Sequence, residues 1–287
     1  MDDLTYTLRQ LCRRNRDGSH TTQADRMRSL TLAARQLREA GFRQMTASSF
    51  KGKHVQALLD RWQGEGLSSG TIKNRLSHLR WWAEKIDKAG ILPADNTQLG
   101  VAERRYVTNI SKARELGRGL DQVTDAHVRM SLQLQAAFGL RRKESLLFQP
   151  RYADRGDHLA LKGSWTKGGR ERTVPITTPE QREVLQAAHR LAGAGSLIPA
   201  HKNYIQQRHT YDGQCKAAGL SNMHGLRHQY AQMRYEALTG WAAPAAGGPP
   251  RHTLSEKQRE IDIYARQSIS LELGHGRPQI IDVYCGR

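Results

Sequence analysis

The stretch Thr166-Lys-Gly-Gly-Arg-Glu-Arg-Thr-Val-Pro-Ile176 distinguishes this chain from an all-helical protein. It closes on an extended run, residues 172–176, and another extended run, residues 158–162, precedes it. Because the Lys167-Gly-Gly169 tip has the residue types of a β-turn, the two runs predict an antiparallel hairpin with a lysine at its end. Elsewhere apolar residues recur at helical spacing. The sequence therefore predicts a mainly α fold with a small antiparallel β-sheet, an α+β architecture.

The first third of the chain has the pattern of short helices that end at glycines. After a polar, Arg-rich opening, apolar residues recur at helical spacing over residues 24–40, 55–62 and 72–86. The last of these segments is basic on its opposite face, which carries Lys73, Arg75 and Arg80. A small helical bundle would present this face to a phosphate backbone or, alternatively, only to solvent.

Basic residues strongly outnumber acidic ones. Lys and Arg total 45 against 27 Asp and Glu, which gives a formal net charge of +18 at pH 7. A compact surface with this excess attracts polyanions, so nucleic acid is the predicted partner rather than a membrane. The chain has neither a long apolar span nor a signal-peptide pattern at Met1-Asp-Asp-Leu4, which predicts a soluble, cytoplasmic protein. Its three cysteines lack CxxC spacing, which argues against disulfides and structural zinc.

The C-terminal half is helical on both sides of the hairpin. Thr124-Asp125 can cap a helix that ends at Gly139. A Pro/Gly/Ala-rich run at about 240–252 cannot form a regular helix and predicts a loop or insertion. Helical spacing resumes over residues 253–266.

Basic and nucleophilic residues recur in short stretches along this half. They are Gly139-Leu-Arg-Arg-Lys-Glu144, the hairpin stretch, His224-Gly-Leu-Arg-His228, and Leu273-Gly-His275 followed by Tyr284. Cleaving a phosphodiester requires an in-line nucleophile, cations around the non-bridging oxygens and an acid for the leaving oxygen. Arginines bind phosphate through paired donors, a lysine can deliver a proton, and a tyrosine can form a covalent phosphoester. The stretches supply each part.

In this order the stretches resemble the active-site boxes of the tyrosine recombinase, or phage integrase, family. That family has a Gly-Leu-Arg-x-x-Glu box, a hairpin lysine, a His-x-x-Arg box and a Leu-Gly-His box with a tyrosine nine residues after its histidine, as Tyr284 is here. The resemblance implies phosphate clamping by Arg141 and Arg227, proton donation to the 5′ oxygen by Lys167, proton-transfer assistance by His224, a phosphate hydrogen bond from His275, and attack by Tyr284. Glu144 would orient Arg141. Each of these residues, taken alone, more often has a purely structural role. The resemblance to the family therefore rests on the order in which they occur together.

The resemblance extends to the first third, where Leu67-Ser-Ser-Gly-Thr-Ile-Lys-Asn-Arg-Leu-Ser-His-Leu-Arg80 is similar to a helix opening of the family's core-binding domain. It implies an N-terminal helical, DNA-clamping domain at 1–105, a basic linker at 106–119 and a catalytic domain at 120–287. Expected DNA-binding residues in the first domain are Lys73, Arg75, Arg80, Arg104 and Arg105. Within the boxes, Arg142, Arg170, Arg172 and His228 would make DNA-backbone or structural contacts.

The implied activity is site-specific DNA recombination through a 3′-phosphotyrosyl intermediate, for integration or excision of a mobile element. Ligation by reversal of the first step would need neither a metal ion nor ATP. The implied partners are double-stranded DNA, further copies in a homo-tetramer, and possible accessory DNA-bending or directionality factors on a bacterial nucleoid. Two departures from the family pattern bear on assembly: the long insertion at about 240–252, and the few residues after Tyr284, where many relatives carry a packing tail.

Three other activities remain open at the level of sequence. A type I topoisomerase uses similar arginine, lysine, histidine and tyrosine chemistry for strand passage. A DNA-binding relative could retain the boxes without turnover. A metal-dependent nuclease is disfavoured because the sequence lacks clustered acidic residues suited to Mg²⁺.

Overall fold

The computed structural model describes residues 2–287, and the chain divides into two compact units. The first unit ends at Arg105 and the second is Tyr106–Arg287. Each unit has its own apolar core. Helices dominate both, and the described residues contain one two-stranded antiparallel sheet. The predicted mainly α fold with a small antiparallel sheet is therefore confirmed.

The first unit is a helical bundle. Its helices are α1 (Asp3–Arg14), α2 (His20–Glu39), α3 (Gly52–Gly64) and α4 (Ser69–Lys85), with 3₁₀ turns at Ala47–Ser49, Ala89–Ile91 and Thr97–Leu99. Helix α1 contradicts the predicted polar opening. Its apolar residues Leu4, Leu8 and Cys12 recur at four-residue spacing and are buried, and the Asp2 side chain accepts the Thr5 N–H at 2.8 Å as an N-cap.

Tryptophans fix the packing of α3 and α4. The Trp82 ring stacks on Phe50 with centroids 3.8 Å apart, and its Nε1 donates to the Ala47 carbonyl at 2.9 Å. Nε1 of Trp62 donates to Oε1 of Gln36 on α2 at 2.9 Å. Because each buried indole N–H has a specific acceptor, these large side chains also set the positions of the helices that carry them.

The second unit surrounds the hairpin with helices. Its elements are α5 (Ala126–Phe138), α6 (Arg142–Leu146), α7 (Pro150–Ala153), β1 (His158–Leu161), β2 (Arg172–Pro175), α8 (Pro179–Ala192), α9 (Tyr204–Ala217), α10 (Gly225–Thr239), α11 (Glu256–Glu272) and α12 (Asp282–Cys285). Short 3₁₀ turns occur at Gly117–Leu120, Pro244–Ala246, Arg251–Thr253 and Pro278–Ile281. As predicted, the Asp125 side chain caps α5, which ends at Gly139.

The hairpin has the predicted antiparallel pairing. His158 pairs with Pro175, and Leu161 pairs with Arg172. Side chains alternate between the two faces of each strand, so Leu159, Leu161 and Val174 enter the core. The same alternation directs Arg172 inward.

The Pro/Gly/Ala-rich run forms a loop with one 3₁₀ turn, Pro244–Ala246. Ala243 is fully buried, so the loop packs against the core. Helix α11 begins at Glu256, later than predicted, because Ser255 is its N-cap, and it continues to Glu272 rather than ending at residue 266.

Residues 106–119 lie in the second unit and bond to it directly. Arg114 N donates to the Gly225 carbonyl at 3.1 Å, and Ser111 Oγ donates to Gln232 Oε1 at 3.0 Å. The segment predicted as a linker thus contacts α10 over part of its length. Among residues 2–287, no helix is both long and apolar enough to span a membrane.

Candidate active site

The first predicted clamp residue, Arg141, lies where α5 gives way to α6. Gly139 ends α5 with φ +59°, and a Cβ added there would lie 2.6 Å from the Tyr230 ring, so backbone and space both require glycine. Arg141 donates from its backbone N and its Nη1 to Glu144, at 2.7 and 2.8 Å. Glu144 therefore orients the Arg141 guanidinium and caps α6 at the same time.

Arg227 lies on the first turn of α10 and is 1% exposed. Its Nη1 donates to the Gly139 carbonyl at 2.6 Å, its Nη2 donates to the Leu273 carbonyl, and its Nε has no partner in the described chain. Burial and the charge of Arg141 lower its pKa to about 10, so it remains a cation at neutral pH. A buried cation bonded to carbonyls favours an incoming anion.

His224 and His275 stand on either side of Arg227. His224 directly precedes α10, and Nε2 of His275 is 3.4 Å from Nη2 of Arg227. Burial, then the charges of Arg227 and Arg141, lowers the pKa of both histidines, that of His275 to about 4. Both rings are therefore neutral at neutral pH and can accept a proton or a hydrogen bond.

Tyr284 projects from α12 into this group and is 6% exposed. Its ring centroid is 5.5 Å from that of His275 and 6.1 Å from that of His224, and the Arg227 guanidinium carbon is 5.9 Å from it. Arg141 is close enough to lower the pKa values of both histidines. The fold thus gathers Arg141, His224, Arg227, His275 and Tyr284 from segments far apart in the sequence.

Lys167 stands apart from this group. It is exposed in the β1–β2 turn, beside Gly168 and Gly169, which have φ values of +83° and +71°. Positive φ at consecutive glycines gives the tip its shape, and the exposed lysine retains its rotamers. Its predicted role as proton donor stays a prediction.

Arg172 was predicted to make either a DNA-backbone or a structural contact, and the structure contradicts the first and supports the second. It is 9% exposed and forms a two-pronged ion pair with the fully buried Glu144, at 2.8 and 2.7 Å. Burial alone would raise the pKa of Glu144, but the hydrogen bonds and charge of Arg172, with those of Arg141, lower it to about 2. Arg172 is therefore a structural contact, because the alternation of β2 places it on the same face as Val174.

Arg80 is bonded within the first unit, and its predicted DNA contact stays a prediction. Its Nε and Nη2 donate to the Pro93 carbonyl at 3.0 and 2.8 Å, and Nη2 donates to Asn96 Oδ1 at 2.8 Å. These bonds hold the chain that follows α4, and they engage two of the three guanidinium nitrogens of Arg80.

The remaining DNA-binding candidates stay predictions. Arg75 is half-buried with its guanidinium 5.2 Å from the Trp62 ring, and Lys73 is half-buried on the same helix. Arg142 is exposed and pairs with Asp212 at 2.5 Å. The others in this set are exposed: Arg104, Arg105 and Arg170.

Two residues that were not predicted as catalytic lie beside Tyr284, although His228 was expected to make a DNA-backbone or structural contact. The His228 ring lies 4.5 Å from the Tyr284 ring, and Gln232 Nε2 donates to the Tyr284 carbonyl at 2.9 Å. They follow His224 by four and eight residues, so the three side chains lie on one face at the start of α10. Helical spacing from the predicted His224 could have indicated this shared face, because residues four and eight positions later lie on the same side of a helix.

The histidines should make the second unit less stable in acid. Burial, His224, Lys112 and Arg227 lower the pKa of His228 from 6.5 to about 4, and His275 has a similar value. The unfolded chain therefore binds more protons below pH 6.5, so stability should fall as the pH falls from about 6.5 to 4. Thermal melting at fixed ionic strength would measure this slope.

Histidine variants supply the control for the melting series. His228→Gln removes one titration and should flatten the slope, whereas His201→Gln, at an exposed site, should leave it unchanged. A slope that is the same in wild type and His228→Gln would contradict the assignment.

The geometry defines a class of site. A tyrosine ring grouped with a buried arginine, an oriented arginine and neutral histidines supplies the groups needed to bind a phosphate and form a phosphoester. In residues 2–287, no group of three or more His, Cys, Asp or Glu side chains is placed to hold a metal ion. The arrangement is that of a candidate phosphate-binding site beside a tyrosine.

Comparison with known proteins agrees with this class. Residues 102–233 match the family model described as "Integrase", and residues 1–89 match "Phage integrase, N-terminal". Tyrosine recombinase XerC of Neisseria meningitidis serogroup B is 26% identical over 252 residues, covering 82% of this chain and 74% of the relative. The Neisseria gonorrhoeae XerC is 26% identical over 246 residues, covering 79% and 72%. This chain belongs to the tyrosine recombinase, or phage integrase, family.

Solved structures share the fold. A lambda integrase dimer bound to a COC′ core site aligns with a TM-score of 0.64 at 16% identity, over 97% of this chain and 77% of that one. XerH site-specific recombinase bound to a palindromic difH substrate aligns with a TM-score of 0.61 at 16% identity, over 98% and 80%. The Tn1549 transposon integrase in complex with circular intermediate DNA aligns with a TM-score of 0.60 at 13% identity, over 100% and 96%.

Proposed function

We propose that this protein is a site-specific DNA recombinase that cleaves and rejoins double-stranded DNA through a 3′-phosphotyrosyl bond to Tyr284, for integration or excision of a mobile element. The observation that carries the proposal is the convergence of His224, Arg227 and His275 on the Tyr284 ring. Tyrosine recombinases rearrange DNA, and the similar lambda and Tn1549 proteins are described with a core site and a transposon intermediate.

The proposed first step begins with phosphate binding. Arg141 is oriented by Glu144, and Arg227 is a buried cation without a carboxylate partner in the described chain. Both would bind the non-bridging oxygens of the scissile phosphate, and His275 would add a hydrogen bond. The phosphate would in turn supply the anion that buried Arg227 lacks.

The proposed chemistry then exchanges one phosphoester for another. The Tyr284 oxygen bonds to phosphorus while the bond from phosphorus to the 5′ oxygen breaks, and neutral His224 accepts the tyrosine proton. Lys167 would protonate the leaving 5′ oxygen once its turn closes on the DNA. Attack by a partner strand's 5′ hydroxyl reverses the step, so the proposed reaction needs neither ATP nor a metal ion.

The proposed assembly is a homo-tetramer on DNA. The net charge of +18 suits a DNA partner, and a lambda integrase tetramer bound to a Holliday junction aligns with this chain at a TM-score of 0.63. Accessory DNA-bending or directionality proteins would act with it, as part of the same proposal.

A nicked suicide duplex tests the proposed reaction. The nick lies just beyond the candidate scissile phosphate, so cleavage releases a short 5′-hydroxyl fragment that diffuses away and leaves the adduct trapped. Because the target sequence is unknown, the pool carries the DNA that flanks the gene together with random arms. We expect an SDS-resistant adduct that protease removes, with the nucleotide attached to the Tyr284 peptide in mass spectrometry.

Two further measurements distinguish the proposed recombinase from a metal-dependent nuclease and from a topoisomerase. EDTA should leave the yield of adduct unchanged, whereas a metal-dependent nuclease would stop. A topoisomerase would relax a supercoiled plasmid that lacks every recovered sequence, which the proposed recombinase should not do. Sequence-independent relaxation, or no adduct from any pool, would overturn the proposal.

A further inference from the structure

All three guanidinium nitrogens of Arg172 donate hydrogen bonds to buried residues. Its Nη1 and Nη2 donate to the two carboxylate oxygens of Glu144, at 2.8 and 2.7 Å, and its Nε donates to the Glu272 carbonyl at 2.8 Å. Only a planar fork with a third donor can reach a carboxylate and a carbonyl at once. One side chain therefore joins three segments of the second unit: strand β2, helix α6 and the end of α11.

Two of these partners adjoin the phosphate-binding groups. Glu144 also accepts from the backbone N and Nη1 of Arg141. Glu272 directly precedes Leu273, whose carbonyl accepts from Arg227, and His275 follows two residues later. The chain passes so close that a Cβ added to Gly274 would lie 2.7 Å from Cδ of Arg172.

The third segment leads to Lys167. Arg172 is the first residue of β2, so it lies at the foot of the turn that carries Lys167. Within the turn, Thr166 Oγ1 donates to the Arg170 and Gly163 carbonyls at 2.6 and 3.0 Å, which holds the turn together. The position of the Lys167 turn relative to Arg141 therefore depends on how strand β2 is anchored.

We infer that Arg172 is a positioning residue for proton donation at the leaving oxygen: through Glu144 it fixes the Lys167 turn relative to the arginines that bind the phosphate. This inference rests on the proposed function, since it specifies how the same site is organised. It also makes a separate prediction: loss of Arg172 should impair departure of the 5′ oxygen more than attack by Tyr284.

A substrate with sulfur in place of the bridging 5′ oxygen distinguishes attack by Tyr284 from protonation of the leaving group. Cleavage then breaks a bond from phosphorus to sulfur and releases a thiolate, which needs no proton donor because thiols are much stronger acids than alcohols; the cysteine thiol, for example, has a pKa of about 8.5. Cleavage at the ordinary 5′ oxygen still needs a proton donor. The substrates are matched suicide duplexes, with oxygen or sulfur, of the sequence recovered in the trapping experiment.

Arg172→Lys keeps the charge and removes the fork. On the oxygen substrate we expect its single-turnover cleavage rate constant to fall about 100-fold, as for a displaced general acid. On the sulfur substrate the rate constant should stay within about 3-fold of wild type, because the leaving thiolate does not need a proton. Lys167→Ala should show the same selective rescue.

Arg266→Lys is the matched control. Arg266 is another buried arginine, which donates to Asp262 and Asp282 at 2.7 and 2.9 Å, but Asp282 belongs to the nucleophile's helix rather than to the hairpin. Any defect there should be equal on both substrates. Because a single-turnover rate constant reports only folded, DNA-bound molecules, partial unfolding lowers the amplitude and leaves the comparison valid; Arg172→Gln repeats it if the lysine variant is insoluble.

The outcomes are separable. Equal loss on both substrates, or no loss on either, in both Arg172 variants would overturn the positioning role while leaving the proposed function intact. Absence of any adduct from wild type on both substrates would overturn the proposed function, and the inference with it.

Discussion

Tyr284→Phe should abolish the covalent DNA adduct completely and leave DNA affinity close to that of wild type. The substitution removes only the hydroxyl that is proposed to attack phosphorus. Phenylalanine keeps the ring, whose centroid is 4.5 Å from that of His228 and 5.5 Å from that of His275, so packing of α12 should persist. No neighbouring group can replace the lost oxygen at the same position, which is why the expected loss is total.

The measurement is adduct yield on the suicide duplex, together with binding of the uncleaved duplex. Tyr264→Phe serves as the matched control, because Tyr264 is 62% exposed on α11, and it should form adduct at the wild-type rate. An adduct that persists in Tyr284→Phe would show that another residue attacks, and the proposed mechanism would have to be abandoned.

Glu144→Gln should destabilise the second unit by about 3 kcal/mol. The carboxylate is fully buried between Arg141 and Arg172, so a neutral amide leaves Arg172 as a buried cation without its counter-ion. For a unit of this size, such a loss corresponds to a fall of roughly 10 °C in melting temperature. The phosphate-binding geometry should fail as well, because Glu144 orients Arg141.

The pH dependence of the same variant tests the cause. The pKa of Glu144 is lowered from 4.5 to about 2, so its contribution is present above pH 4.5 and is lost as the pH falls toward 2. The gap in melting temperature between wild type and Glu144→Gln should therefore narrow over that range. Asp212→Asn, which breaks the exposed pair with Arg142, should cost at most about 1 kcal/mol. Equal effects of the two substitutions would contradict the buried-pair account.

The sequence by itself determined the elements and the composition of the site. Local signals place helix ends and the hairpin turn, because caps and positive-φ glycines act within a few residues. Asp125 and Gly139 bound α5 as expected. Helix α1 was missed although its period was present in Leu4, Leu8 and Cys12, because its many polar residues outweighed that pattern.

Only the tertiary structure decided which charged side chains face inward and which groups meet. Arg170 and Arg172 are near neighbours of one type, yet the first is exposed and the second is buried against Glu144, 28 residues away, and Glu272, 100 residues away. Likewise, Arg80 donates from two of its guanidinium nitrogens to the carbonyl of Pro93, 13 residues away. The alternation of β2 places Arg172 on the buried face, but the partners of a long cationic side chain are set by how distant segments pack, and no local pattern identifies them.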